Sequence, residues 1–298
     1  MPCYHPIEAW RSGQTLPNGK RPLIFSPVGA FGPPIKIPCR GCIGCRLEYR
    51  RQWAIRCEHE NIFHKKSCFL TLTFNDENRP ENGSLSVRPL QLFLKKLRKK
   101  LGPKKIRYFA CGEYGEKFDR PHYHAIIWGY DFQPTAASLE DGTSASDVAT
   151  KIWGHGFARV DPFSPERAAY VAGYALKKIN GQLAEKHYER IDPDTGEITQ
   201  RKAEFVTMSR AGGIGHKFFE QFRTDIYPCD FALHKGKKGR VPRYYDNKLS
   251  EAELQELKLQ RKKQAALNWR DNTTKRLRVR EIVATAKSEN ALKRNLNK

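Results

Sequence analysis

The sequence predicts an α+β fold, a central antiparallel sheet with flanking helices, on three observations. Residues 67–74 (SCFLTLTF), 106–115 (IRYFACGEYG) and 122–129 (HYHAIIWG) are apolar, β-branched and aromatic, as buried strands are. Leu90, Phe93, Leu94, Leu97 and Leu101 recur at helical spacing, with Lys95, Lys96, Lys99 and Lys100 on the opposite side. The second and third strands are separated only by a polar turn, EKFDRP, which asks for antiparallel pairing. Together they suggest a meander with one helix packed on a face.

The remaining elements follow along the chain. Residues 1–38 are rich in Pro and Gly and read as loops with short extended pieces. Residues 46–66 (RLEYRRQWAIRCEHENIFHKK) suit a helix that is basic on one side, and 133–150 read as a small, polar surface insertion with a helix near its end. GHGFARV (154–160) looks like a further strand, and Ser164 followed by Pro165 is an N-cap and N1 pair for a helix reaching about Ile179. Residues 188–205 hold turn formers between two extended runs, which predicts a hairpin. Residues 235–298 carry 19 Lys+Arg against 7 Asp+Glu, and Ser250 with Glu253 forms a capping box, so the end of the chain reads as a basic helical tail. Composition divides the chain into a Cys-rich segment with a basic helix (1–65), a central domain (66–232) and the tail (233–298).

The whole chain of 298 residues has a formal charge of +22, which calls for a polyanionic partner, nucleic acid before membrane. No run approaches the roughly 18–20 apolar residues of a membrane span, and the first residues lack an apolar leader core. We therefore expect a cytosolic protein with reduced thiols. Of eight cysteines, Cys39, Cys42 and Cys45 have chelating spacing, with Cys3 as a fourth ligand and His5 as the alternative. They would hold a structural Zn²⁺, or else remain free thiols.

In PHYHAIIWG, His122 and His124 share one face of a strand and Tyr123 takes the other. Such a pair also occurs as simple packing, but two imidazoles on a buried strand need partners. Glu113 closes the preceding strand and comes near them if the two strands pair. Two histidines and a carboxylate suit Mg²⁺ or Mn²⁺ and leave positions open for a phosphate. In AAYVAGYALKK, Tyr170 and Tyr174 lie one helical turn apart, followed by Lys177 and Lys178, among small residues that leave the rings accessible. A phenol can attack a phosphodiester to give a 5′-phosphotyrosine, with a lysine offsetting the developing charge. The alternative for two aromatics at this spacing is core packing. LHKGKKGRVPRYY (233–245), with Lys235, Lys237, Lys238 and Arg240, suits backbone contact and base stacking on single-stranded DNA, or a solvated linker.

In FLTLTF, then PHYHAII, then YVAGYALKK, the chain resembles the HUH endonuclease superfamily, and within it the replication initiation proteins of microviruses in the gokushovirus branch. CRGCIGCRLEYRRQWAIRC and MSRAGGIG strengthen the likeness, which covers roughly residues 1–220. Histidines before tyrosines is the order of replication initiators and not of relaxases. The resemblance implies an antiparallel sheet of about five strands carrying the metal site, with Glu113, His122 and His124 as ligands and Tyr170 and Tyr174 as paired nucleophiles. It implies a rolling-circle initiator that nicks and rejoins DNA at a phage origin, in the cytoplasm of a bacterial host, with single-stranded or supercoiled circular DNA as substrate. A host helicase is a candidate partner, and the sequence does not show whether the tail recruits one. Competing readings are a non-catalytic, zinc-stapled packaging protein, or an HUH transposase or plasmid initiator.

Overall fold

The structure is a computed structural model, and it describes residues 3–115, 119–132, 144–174, 182–191, 195–234 and 236–296. In chain order the strands and helices are β1 (Ile7–Ser12), β2 (Leu23–Ile24), β3 (Ala30–Ile37), α1 (Ile43–Asn61), β4 (Ser67–Phe74), α2 (Val87–Leu101), β5 (Arg107–Tyr114) and β6 (Pro121–Trp128). Next come β7 (Ser144–Ala145), α3 (Asp147–Trp153), β8 (Gly156–Pro162), α4 (Pro165–Tyr174), α5 (Gln182–Tyr188), β9 (Glu189–Ile191), β10 (Ile198–Gln200) and β11 (Phe205–Met208). The chain closes with α6 (His216–Ile226), β12 (Ala232–His234), β13 (Lys237–Gly239), α7 (Arg243–Asp246), α8 (Glu251–Leu267) and α9 (Thr274–Leu296).

Two compact units result, Arg50–Lys248 and the combination of Met1–Tyr49 with Leu249–Lys298. The second unit joins chain ends that composition treats as separate segments. In it, residues read as loops with short extended pieces form a three-stranded antiparallel sheet, β2-β1-β3. No alternation announces these strands, because their residues are mostly exposed and Ala9 is the one buried strand position. Helix α8 opens with the expected Ser250–Glu253 capping box.

The larger unit is built on a six-stranded antiparallel sheet, β11-β5-β6-β4-β8-β7, whose sixth strand is a two-residue edge. The expected strand 67–74 is β4, and β6 carries the histidines as read. The meander is corrected: β6 lies between β4 and β5 and pairs with both, so α2 crosses over it to join two strands that run in parallel. Periodicity identifies strands but carries no record of which neighbour each will pair with.

One face of this sheet is the core. Leu70, Leu72 and Phe74 of β4, Tyr123, Ala125 and Ile127 of β6, and Ala158 and Val160 of β8 pack against Leu90, Phe93, Leu94 and Leu97 of α2 and Trp153 of α3. The polar atoms that enter are paired: Tyr123 Oη donates to Ser86 O (2.7 Å) and Trp153 Nε1 to Thr73 O (3.0 Å). On the other face Trp53 of α1 stacks on Phe109 at 4.4 Å, and α4 lies beside it, so that only part of the face is covered. The α4 helix begins at Pro165 as expected, while its expected continuation to residue 179, like residues 133–143 of the insertion, falls outside the described residues. The hairpin in 188–205 is β9–β10, and the insertion's helix near its end is α3.

Candidate active site

Strand register builds the site. Glu113 lies opposite His122, which lies opposite Thr73, which lies opposite Phe157. One step along, Cys111, His124, Thr71 and Arg159 form a second row. Both rows belong to the face away from the core, because side chains alternate along each strand. Gly156 sets the edge of the first row: its φ is +143°, and a Cβ there would run into the backbone of Asn75. Phe157, next to it, is 63% exposed.

Each buried polar group has a defined role. His124 Nε2 donates to Glu113 Oε1 (2.7 Å), and its Nδ1 accepts from the Thr71 hydroxyl (3.1 Å). His122 Nδ1 donates to Arg120 O (2.7 Å), which leaves its Nε2 as a bare lone pair. Burial holds the His122 imidazole below its usual value, so it stays neutral and able to ligate. Glu113 is buried, and its Oε2 has no hydrogen-bond partner among the described residues. An orphaned carboxylate oxygen beside two imidazoles is the kind of donor set a divalent cation takes. The set is not closed up as one cage. Among the described residues only the four cysteines have ligand atoms all within 4.8 Å of one another.

Helix α4 lies over the second row. Ser164 Oγ caps it by accepting from Arg167 N (3.2 Å), and Arg167 pairs with the buried Asp161 of β8 (2.9 Å). On its other side Arg50 of α1 donates from Nε to Ala169 O (3.1 Å) and packs on Gly173, so the small residues admit a guanidinium. Tyr170 Oη points at Glu113 Oε1 across 3.4 Å, and its ring meets His124 edge-on at 5.1 Å. Tyr174 stacks on His124 at 5.8 Å and meets Tyr170 edge-on at 4.8 Å. The two tyrosines differ in depth: Tyr170 is 42% exposed and Tyr174 only 4%. That corrects the expectation of two accessible rings, since small neighbours in sequence do not exclude cover from the sheet beneath. Burial and the Glu113 charge push the Tyr170 phenol up to about 12, and the same causes raise Tyr174.

Of the other residues named from sequence, Lys177, Lys178 and Lys235 lie outside the described residues. Lys237, Lys238 and Arg240 are exposed on and just after the β12–β13 hairpin, with Lys238 over the Phe231 ring at 4.6 Å. The aromatic end of that run is not available for base stacking. Tyr245 is fully buried and hydrogen-bonded to His59 Nδ1 (2.9 Å), and Tyr244 lies under Arg56 at 3.9 Å. Cys3, Cys39, Cys42 and Cys45 come together, and the four could hold a metal ion. His5 is turned away to Glu281, 2.6 Å from its Nε2.

Thr71, Arg50, Arg159 and Phe157 were not singled out from sequence. Thr71 had a signal: in Leu70-Thr71-Leu72-Thr73 the polar residues alternate with core residues and so share the histidine face. Arg50 had none, because its contact with α4 spans 119 residues.

The family model for replication-associated protein ORF2/G2P matches residues 67–179, from β4 through α4. The chain is 30% identical to replication-associated protein VP4 of Bdellovibrio phage phiMH2K over 264 residues, 83% of this chain and 76% of that one. It is 31% identical to replication-associated protein ORF2 of Spiroplasma virus 4, over 72% of this chain and 67% of that one. It is 28% identical to replication-associated protein ORF4 of Chlamydia phage 1, over 72% and 53%. No solved structure matches. No helix among the described residues is long and apolar enough to cross a membrane.

Proposed function

The chain belongs to the family of phage replication-associated proteins, and from that premise we propose that it initiates rolling-circle replication as an HUH-type enzyme that nicks and rejoins single-stranded DNA through Tyr170. The observation that carries this reading is the contact of an exposed phenol with a buried carboxylate and imidazole on the partly uncovered sheet face.

In the proposed step, Tyr170 Oη attacks the scissile phosphorus, the Oη–P bond forms and the P–O3′ bond breaks. The products are a 5′-phosphotyrosine and a 3′-hydroxyl, and the bond energy is kept for rejoining. The phenol proton has an acceptor at hand in Glu113 Oε1, and the departing 3′ oxygen takes up a proton from water, to which Glu113 later returns its own. A phenol held near 12 does not ionise by itself at neutral pH, so this acceptor matters. Thr71 and Arg120 fix the two imidazole rings, Arg50 ties α4 to α1, and Asp161 ties it to the sheet. Glu113 and His122 Nε2 would hold Mg²⁺ or Mn²⁺, and His124 would join them by giving up the Nε2 proton it donates to Glu113 Oε1; when bound, the ion supplies a Lewis acid for the phosphate. Phe157, exposed at the end of the first row, offers a base a stacking surface, and Arg159 of the second row is exposed to a phosphate. Tyr170 is the tyrosine of the first attack, and Tyr174, buried beneath it, serves the second transfer. The substrate is the phage replication origin, inside the host cell.

The test is a labelled origin oligonucleotide incubated with the protein and Mn²⁺, run on a denaturing gel. A covalent band is expected, lost with EDTA and restored by Mn²⁺. Tyr170→Phe should abolish it while Tyr174→Phe retains it. An undiminished band in the double variant sinks the proposal.

A further inference from the structure

We propose that Cys3, Cys39, Cys42 and Cys45 bind one Zn²⁺ in an all-thiolate site that holds together the unit formed by the two chain ends, and that this site is separate from the chemistry on the large sheet. The four sulfurs all lie within 4.8 Å of one another, and all four are free thiols. Tetrahedral zinc with about 2.3 Å bonds to sulfur sets its ligands roughly 3.8 Å apart, a spacing this cluster admits and a disulfide does not.

The backbone is arranged for negative sulfurs. Tyr4 N donates to Cys42 Sγ (3.3 Å), Cys39 N to Cys3 Sγ (3.3 Å) and Cys42 N to Cys39 Sγ (3.4 Å). The last bond closes the turn from Cys39 to Cys42, in which Arg40 takes a left-handed φ of +64°. Three amides aimed at thiols are the outer-shell donors that steady metal-bound thiolates. On binding, Zn²⁺ displaces the thiol protons to solvent, and no electron changes hands. His5 is excluded as the fourth ligand by its pairing with Glu281, so the set is four sulfurs.

The need for a metal is visible in the same segment. Among residues 3–42 the only buried apolar side chains are Cys3 and Ala9, while Phe25, Val28 and Phe31 are exposed. So small a sheet with no core does not hold itself. Cys3 precedes β1, Cys39 follows β3, and Cys42 and Cys45 lie at the start of α1, so one ion would tie the paired strand ends (Ile7 opposite Ile37) to the helix. The neighbouring residues carry the constraint to α9. His5 pairs with Glu281, and Tyr4 shares a cleft with Arg276, Val279, Arg280 and Val283.

The test uses the full chain, purified without chelator and assayed by elemental mass spectrometry. Close to one zinc per chain is expected, retained in His5→Ala and lost in Cys39→Ser/Cys42→Ser. Because the double variant can fail to fold, the intact protein is also exchanged with Co²⁺, where thiolate-to-cobalt charge-transfer bands in the near ultraviolet are expected. Zinc withdrawal should make residues 3–42 the first site of limited proteolysis, and zinc should restore protection. Protein without metal that develops no cobalt bands, zinc content unchanged by the cysteine substitutions, iron in place of zinc, or disulfides among the four would each overturn the assignment.

Discussion

The two faces of the large sheet are made by the same strands, and they differ in what their side chains are held by. On the core face, Leu70, Leu72, Tyr123 and Ile127 are held by packing against α2 and α3. On the other, Thr71, His122, His124 and Glu113 are held by a few hydrogen bonds to named partners, and one oxygen, Glu113 Oε2, has none among the described residues. Packing spreads over many contacts, so the loss of one side chain costs stability and leaves the chemistry of the other face in place. A hydrogen-bonded row depends on each of its few partners, and in the proposed function its residues serve a ligand. The difference is sharpest between adjacent residues: Leu72 and Thr71 are neighbours in β4 with unlike tasks.

Four measurements would break or sharpen that contrast. The largest effect belongs to Glu113→Gln, which should slow covalent adduct formation about a thousandfold, some 4 kcal/mol of barrier, with the circular dichroism spectrum unchanged. Loss of fold in this variant would mean that the polar face is structural too. Leu72→Ala should do the reverse, lowering unfolding free energy by about 2–5 kcal/mol in a urea titration while the folded fraction keeps its activity.

His59 tests α1, the helix whose Trp53 covers part of the polar face. It is buried, stacked on Phe218 at 3.6 Å, and burial holds its imidazole down to about 4 from 6.5. Between pH 6.5 and about 4 the unfolded chain takes up a proton that the folded chain refuses. Stability should therefore fall as pH falls through this window and level off below it, by about 3 kcal/mol in all at about 1.4 kcal/mol per unit. Urea titrations of the protein and of His59→Phe across the window measure it, the variant showing the shallower decline. The smallest effect is that of Thr71→Val, which frees His124 Nδ1. Adduct formation should fall about tenfold, with the apparent Mn²⁺ requirement raised and stability changed by no more than about 1 kcal/mol.

Much of this was legible in the sequence because it is local. The strand 67–74, the helix of leucines 90–101 and the histidine strand each carry their own period, and each is found where it was read. The contact of Glu113 with His124 followed from a short turn between two strands. What escaped depends on partners distant in sequence. The insertion of β6 between β4 and β5 is a choice of neighbour, and the N-terminal sheet has too few buried positions to show a period. Tyr245 reads as a surface aromatic among basic residues, but α1 and α6 bury it. Tyr174 reads as the equal of Tyr170, and only the fold ranks them by depth.

That ranking has a mechanical side. Two residues four apart on a helix are separated by about 6 Å along its axis. In the proposed two-transfer cycle, a slide of α4 by one such tooth, like a pawl advancing on a rack, would bring the deeper phenol to the place of the outer one. Two latches resist the stroke, the Arg50 bond to Ala169 O on one flank and the Arg167–Asp161 pair on the other. In the proposed cycle of nicking and joining, a movement of this helix would divide the two transfers, and the latches would set its load.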